Sequence, residues 1–294
     1  SRGKKRSFLS QTSNKMKDIK EPFIILLVLF VLLGLAYGSP KKARLNNSGD
    51  SQNTSSISEN KKKAEGHSPY SGKISMSNIS GLYGDDPNQE YIYISSNLDE
   101  KETAKITGWY LKSEITGYFV IIGKAALLPF PSTKTESDIF LQNGDRVYLT
   151  KGFSPIGISF RTNRCIGYFE ENRTFVPSLS LDCPRPEKEK LPQFSSDFDR
   201  NDECLNIIEG LPRCTTVNSQ FIRNLPDTVS SACKTYITTQ INYNSCVASH
   251  FNDTDFAGDE YRVYLNKFGP LWRKTHDKIN LYDQNNLVVD TVSY

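Results

Sequence analysis

Residues 105–113, KITGWYLKS, carry the pattern that decides the fold. In an extended chain Trp109 and Leu111 face one way, whereas Tyr110 faces the other. Residues 146–150, RVYLT, repeat this alternation of apolar and polar side chains. Strict alternation is typical of a strand with one buried face and one wet face, so both segments are predicted to belong to antiparallel sheets.

Other short segments of the same kind recur along the chain, separated by turn signals. Asn143-Gly144-Asp145 is one such signal, in which Gly144 is expected to adopt a positive φ. Repeated short strands of this spacing are typical of a sandwich. We therefore predict a mainly β chain, an immunoglobulin-like β-sandwich over residues 89–294 in which Trp109 is a core anchor. The remaining predicted strands are residues 91–95, 118–123, 156–160, 278–282 and 287–294.

The stretch over about residues 195–256 interrupts the β pattern. Ser195 or Ser196 is a candidate helix cap, and a second helix is expected from Pro226 to about Gln240. The stretch contains four of the six cysteines. It is predicted to be a small helical insert stapled by disulfides, because its apolar content alone is marginal for folding.

All six cysteines are expected to form disulfides. None belongs to a Cys-x-x-Cys pair, the spacing that structural zinc sites favour, and an even number of cysteines in an exported chain indicates a disulfide framework. Cys165 and Cys183 are predicted to close one loop of the sandwich. In the insert a nested scheme is predicted, although four cysteines allow three pairings. That scheme joins Cys204 to Cys246 and Cys214 to Cys233.

An apolar segment runs from Phe23 to Gly38, sixteen residues without a charge. We predict one transmembrane helix over residues 22–38, with the basic residues 1–21 in the cytoplasm and the rest outside the membrane. The membrane is thus a predicted partner of this segment. A signal peptide cleaved after Gly38 is the alternative, and it would give a secreted protein. Residues 39–88 are polar and are predicted to be a flexible, disordered linker.

Three blocks of sequence resemble the lamin tail domain. They are ITGWYL at 106–111, IFLQNGDRVYL at 139–149, and DKINLYD at 277–283 followed by LVVD at 287–290. The resemblance implies an immunoglobulin-like β-sandwich, and the apolar segment and cysteines match the bacterial exported branch of the family. The helical insert departs from the family pattern.

No catalytic, metal-binding or cofactor-binding set is predicted. The chain contains no Gly-x-Ser-x-Gly, His-Glu-x-x-His or Walker loop. His250 with Asp253 and Asp255 is the nearest to a titratable cluster, and a solvated turn is the favoured interpretation. We therefore expect no enzyme.

Tyrosines provide the predicted binding surface. Exposed tyrosines on a sheet bind proteins or sugars. The function expected is that of a membrane-tethered structural or adhesion module that binds proteins. The alternative is a module that targets envelope enzymes to polysaccharide or extracellular nucleic acid. A net charge of +3 from 36 basic and 33 acidic residues argues against nucleic acid. The predicted surface comprises Tyr91, Tyr93, Tyr110 and Tyr118.

Overall fold

A computed structural model shows eleven strands among the residues that it describes. The structure describes residues 66–130, 135–189 and 203–294, together with the backbone alone at Asp202. All of these residues belong to one compact unit. Strands β1 to β11 are Ile74–Met76, Tyr91–Ser96, Ala104–Lys105, Tyr110–Ser113, Phe119–Ile121, Phe140–Leu141, Arg146–Thr150, Phe160–Asn163, Ala257–Tyr264, Lys278–Tyr282 and Val288–Ser293.

The strands form three sheets. The largest has the order β1-β2-β7-β9-β8, the second has the order β11-β10-β4-β5, and β3 pairs with β6. Neighbours are antiparallel except β7 and β9, which run parallel with Val147 opposite Tyr261. The mainly β fold predicted from alternation is therefore confirmed.

Side chains from the two larger sheets meet in one hydrophobic core. Trp109, directly before β4, Leu111 of β4 and Val147 of β7 are fully buried there. Trp109 also donates a hydrogen bond from Nε1 to Gln284 Oε1 at 3.0 Å, which satisfies its polar atom. The prediction of Trp109 as a core anchor is confirmed. We call this two-sheet unit the β domain.

Gly144 has φ +84° in the turn that precedes β7, as predicted. The neighbouring Asp145 is buried, and its carboxylate accepts the Gln142 N–H at 2.8 Å. An L-residue with a side chain is strained at this φ, so glycine is required for the turn.

The β domain begins earlier than its predicted start at residue 89. Composition assigns residues 39–88 to a disordered linker, but the described part, residues 66–88, belongs to the fold. β1 pairs with β2, burying Ile74 and Met76. Ser68 is also buried and donates to Asp283 Oδ2 at 2.8 Å. Polar composition concealed this segment because only a few apolar residues, Ile74, Met76 and Leu82, are buried in it.

The described part of the range predicted for the insert contains four helices. They are α1 Asp202–Glu209, α2 Ser219–Arg223, α3 Ser231–Gln240 and α4 Tyr243–His250. Asn218, Ser230 and Asn242 cap the last three by accepting backbone N–H groups. The helix expected from Pro226 therefore begins five residues later, at Ser231, because Ser230 is the cap. The candidate caps Ser195 and Ser196 lie outside the described residues.

All six cysteines form disulfides, as predicted, but none of the three predicted pairings is correct. Cys165 is linked to Cys246, Cys183 to Cys214, and Cys204 to Cys233. One disulfide, Cys204–Cys233, therefore lies within the insert. The other two join the insert to the segment that follows β8. The nested scheme fails because α4 packs on the loop after β8 instead of pairing along its length with α1.

The attachment of the insert is also hydrophobic. Phe160 and Tyr264, from β8 and β9, pack with Phe169 and Tyr243 in a second core that contains two of the disulfides. A third core lies among the helices around Cys204 and Cys233. The insert thus packs against the side of the five-stranded sheet at β8 and β9.

No helix among the described residues is long and apolar enough to cross a membrane. The predicted transmembrane segment, Phe23 to Gly38, lies outside the described residues, as do the predicted cytoplasmic residues 1–21.

Candidate binding surface

The outer face of the four-stranded sheet carries a stripe of apolar side chains. Cross-strand pairing places Tyr282 of β10, Tyr110 of β4 and Ile121 of β5 in one row. The rings of Tyr110 and Tyr282 stack at 4.8 Å and 11°, and Phe119 meets Tyr110 edge-on at 6.2 Å. Strand alternation turns these side chains away from the core, so the stripe is an external surface. We call these four residues the aromatic stripe.

Exposure is concentrated at the β5 end of the stripe. Phe119 is 59% exposed and Ile121 57%, although large apolar residues are usually covered in a β domain. Ile115 and Tyr118, in the same hairpin, are 54% and 61% exposed. Contiguous exposed apolar residues of this kind mark binding surfaces more often than single ones do.

The hairpin that presents β5 is held by buried hydrogen bonds. Ser113 Oγ donates to Asp277 Oδ1 at 2.7 Å and accepts the Thr116 N–H at 2.9 Å. Gly117, with φ +74°, completes the turn. The exposed side chains therefore stand on a fixed backbone, which lowers the entropy lost when a partner binds.

β5 is an edge strand of the part of the chain that the structure describes. The Ser113 N–H donates to the Tyr118 carbonyl at 3.0 Å, and the Ile122 N–H donates to the Trp109 carbonyl at 2.8 Å. Backbone groups alternate in direction along an antiparallel strand. The N–H and C=O groups of Phe119 and Ile121 consequently point away from β4, towards an open edge.

A polar row lies beside the aromatic stripe. Glu114 accepts from Lys278 Nζ at 2.9 Å and from Asn280 Nδ2 at 2.7 Å. The hydrogen bond from Lys278, and after it that from Asn280, lowers the pKa of Glu114. Asn280 is buried and accepts from Thr291 Oγ1 at 2.7 Å. The side chains of Glu114, Lys278, Asn280 and Thr291 are thus paired with one another, whereas the exposed Lys112 lies on β4 between Asn280 and Phe119. The aromatic stripe provides apolar contact area next to this one cation.

The stacking also affects Tyr110 itself. Burial of the Tyr110 hydroxyl raises its pKa, and the nearby Tyr282 and Asp283 raise it further by electrostatic repulsion. The hydroxyl therefore stays protonated at physiological pH. That hydroxyl donates to Asn286 Oδ1 at 3.2 Å. The stripe therefore carries no charge of its own and suits an apolar partner.

The four predicted surface tyrosines do not form one surface. Tyr110 lies on the four-stranded sheet, and Tyr118 precedes β5 in the same sheet. Tyr91 and Tyr93 lie on β2 of the five-stranded sheet, where both contact Tyr148 at 5.6 and 5.2 Å. The prediction of a single face was wrong because alternation shows which way a side chain points within a strand, whereas the pairing of strands decides its sheet.

The His250 cluster is a structural clasp. Nδ1 lies 2.6 Å from Asp253 and Nε2 lies 2.9 Å from Glu189, so carboxylates occupy both ring nitrogens. Burial opposes protonation of His250, but the hydrogen bonds to Asp253 and Glu189 outweigh it and raise the pKa. Asp255 instead binds Arg164 at 2.9 Å. The ring has no nitrogen left to take a proton from a nucleophile.

A polar cleft of about 1100 Å³ lies beside this clasp, between β8–β9 and the loop after the 3-10 helix Ile166–Asn172. Several of its cations are matched by acids: Arg146 pairs with Asp259 at 2.7 Å, and Arg213 pairs with Asp182. Paired charges project little field into a cleft. The cleft is therefore a weaker candidate than the aromatic stripe for recognition of a ligand. Among the described residues no group of histidine, cysteine and acidic side chains is arranged to hold a metal ion.

Phe119, Ile121 and Tyr282 are the surface residues that the sequence analysis missed. Their alternation with Val120 and Leu281 is visible in the sequence, and it places them opposite the buried side chains. What the sequence does not show is that β5 ends the sheet, because that depends on which strands pair with β4.

Comparisons of the chain with protein families, with curated proteins and with solved structures found no match.

Proposed function

We propose that this chain is a non-catalytic binding module that recognises a protein partner at β5 and the aromatic stripe. The observation that carries the proposal is the exposure of Phe119 and Ile121 beside an open strand edge. The edge supplies hydrogen-bond donors and acceptors, and the stripe supplies apolar contact for alternate side chains of an added strand. The partner accordingly contributes an extended segment with apolar side chains on one face.

The β domain is proposed to be an immunoglobulin-like β-sandwich of the lamin-tail kind. The shared core of its two sheets supports this architecture. The three resembling blocks fall on β4, on β6–β7 and on β10–β11. Because a fold does not define a function, the proposed role in adhesion rests on the aromatic stripe and not on the sandwich.

The location proposed is the outside of a membrane, with Phe23 to Gly38 as the anchor. Six cysteines in three disulfides support an oxidising compartment, because thiols in the cytosol are kept reduced. Anchoring by one apolar segment would leave the stripe free to meet partners on the same or a neighbouring surface.

A displayed library of random peptides tests the proposal directly. The full chain is used as bait and is compared with Ile121→Lys, which places a charge on the stripe at an exposed position. Leu127→Lys is the matched control, since Leu127 is 53% exposed at another place. Peptides with alternating apolar residues should bind the wild type and the control but not Ile121→Lys. Equal binding to Ile121→Lys would refute the proposal.

Polysaccharides are tested in parallel, because stacked aromatic rings also bind sugars. Retention on a polysaccharide that is lost in Tyr110→Ala, with no peptide selected, would instead support a glycan-binding module.

A further inference from the structure

We infer that the partner at β5 is a second copy of this chain, joined edge to edge by antiparallel pairing of the two β5 strands. This inference rests on the proposed function, since it names the occupant of the same site. Four features of the hairpin carry it: its register, its flanking glycines, its charges and the continuity of the stripe.

The register of β5 is self-complementary. A two-fold axis at Val120 places Phe119 opposite Ile121 of the second copy, and Ile121 opposite its Phe119. Phe119 and Ile121 are the residues whose backbone groups point to the open edge. An antiparallel pair centred in this way makes hydrogen bonds at those two positions in each copy, so all the outward groups are used.

The backbone around β5 lets another strand approach. Gly117 and Gly123 lie at the two ends of the strand, and neither has any atom within 4 Å of the point where a Cβ would be. The two-fold axis brings Gly117 opposite Gly123 of the second copy. The pairing can therefore run past the three residues of β5 without a side-chain collision.

Charge does not oppose the pairing. The only charged residue from 116 to 124 is Lys124, and the same register places it opposite Thr116 of the second copy. Like charges directly opposite one another are destabilising, and none occur here. Edge strands that resist association usually carry a charge on the strand itself, which β5 lacks.

Pairing also makes the two aromatic stripes continuous. Within one copy, Tyr282, Tyr110 and Ile121 already form a row across the sheet. The second copy adds its Phe119 to the end of that row. Aromatic and aliphatic side chains on opposite strands stabilise such pairs, so both rows gain a favourable neighbour.

The interface is small, because a three-residue strand supplies it. Interfaces below about 1,200 Å² are typical of weak complexes. Confinement of both copies to one membrane would raise their effective concentration and favour the pair without a new contact. A reversible contact between neighbouring copies is therefore the expected behaviour.

Site-specific cross-linking tests the inference on the full chain in detergent micelles. The photoreactive p-benzoyl-phenylalanine replaces Phe119, and the cross-linked peptides are mapped by mass spectrometry. A dimer joined between position 119 and residues 119–123 of the second copy is expected. The same residue in place of Phe140, which is 50% exposed on β6, is the control and should give no such dimer.

A charge at position 121 provides the second arm. Ile121→Lys occurs twice in a symmetric interface, so we expect at least about a tenfold loss of dimer at subsaturating concentration. Leu127→Lys should leave the yield unchanged, and matching thermal unfolding of both variants verifies folding. The inference would be overturned if position 119 did not cross-link to a second copy, or if Ile121→Lys gave the same yield of dimer as the wild type.

The two proposals fail in different ways. If a library-selected peptide cross-links to position 119 while the second copy does not, strand addition stands and the second copy is not the occupant. If neither cross-links, the proposed function and the inference both fail.

Discussion

Removal of the disulfide between Cys165 and Cys246 is expected to destabilise the protein by about 4 kcal/mol. The two cysteines are 81 residues apart in sequence. The link between Cys183 and Cys214 shortens the effective loop to about 50 residues, for which loop-closure entropy gives nearly the same figure. Loop entropy depends only logarithmically on length, so the estimate is insensitive to this choice.

Chemical denaturation of Cys165→Ala/Cys246→Ala, followed by tryptophan fluorescence, measures this loss. Trp109 and Trp272 both lie in the core of the β domain, so the signal reports that core. Cys204→Ala/Cys233→Ala is the comparison, because it removes the link internal to the insert. That variant should leave the tryptophan transition nearly unchanged and expose the helices to protease. A loss below about 1 kcal/mol for the first variant would contradict the argument that this link stabilises the β domain.

Three further predictions concern a core tryptophan, a buried ion pair and the half-buried His250. Trp109→Ala should cost about 3–5 kcal/mol by denaturation, because it empties the centre of the core; a loss under 1 kcal/mol would contradict its role as anchor. Lys151 and Glu90 form a buried ion pair at 2.6 Å, so Lys151→Met should lower the free energy of unfolding by about 3–5 kcal/mol. The double variant Lys151→Met/Glu90→Leu should recover much of that loss, because it leaves no unpaired buried charge. Absence of recovery in a double-mutant cycle would contradict this. His250 has a raised pKa in the folded state, so the stability it contributes is complete below about pH 6.5 and is lost as pH rises through the folded pKa. The free-energy difference between wild type and His250→Gln, measured from pH 5 to 9, should therefore shrink with rising pH, and a constant difference would refute the clasp.

Alternation in the sequence was sufficient to locate several strands. RVYLT and KINLY coincide with β7 and β10 residue for residue, because in both strands the apolar side chains that enter the core alternate with more polar ones on the outer face. Strand β9, Ala257–Tyr264, was missed. Its first four residues include Gly258, Asp259 and Glu260, and the alternation begins only at Tyr261, directly after the helical insert. Composition obscured the pattern there.

Strand boundaries shifted where turns compete with strands. Residues 156–160 were predicted as a strand, but Ser154 and Gly157 form a turn, and β8 begins only at Phe160. The chain enters the sheet later because the register is set by pairing with β9, where Phe160 lies opposite Arg262. Local propensity does not contain that long-range choice.

The disulfide pairings and the binding surface could not be predicted from the sequence, for the same reason. Cys165 and Cys246 meet because α4 packs on the loop after β8, and no spacing rule encodes that contact. Phe119 becomes a surface residue because β5 ends its sheet. Both outcomes depend on the arrangement of elements far apart in the chain.

Amide hydrogen exchange at Phe119 and Ile121 tests the central claim most directly. In the isolated chain their N–H groups face the open edge, so they should exchange rapidly while the Val120 amide, which faces β4, is protected. Addition of a strand, from a selected peptide or a second copy, should slow exchange at Phe119 and Ile121 and leave Val120 nearly unchanged. Rapid exchange at both residues in a saturated complex would show that partners do not bind at this edge.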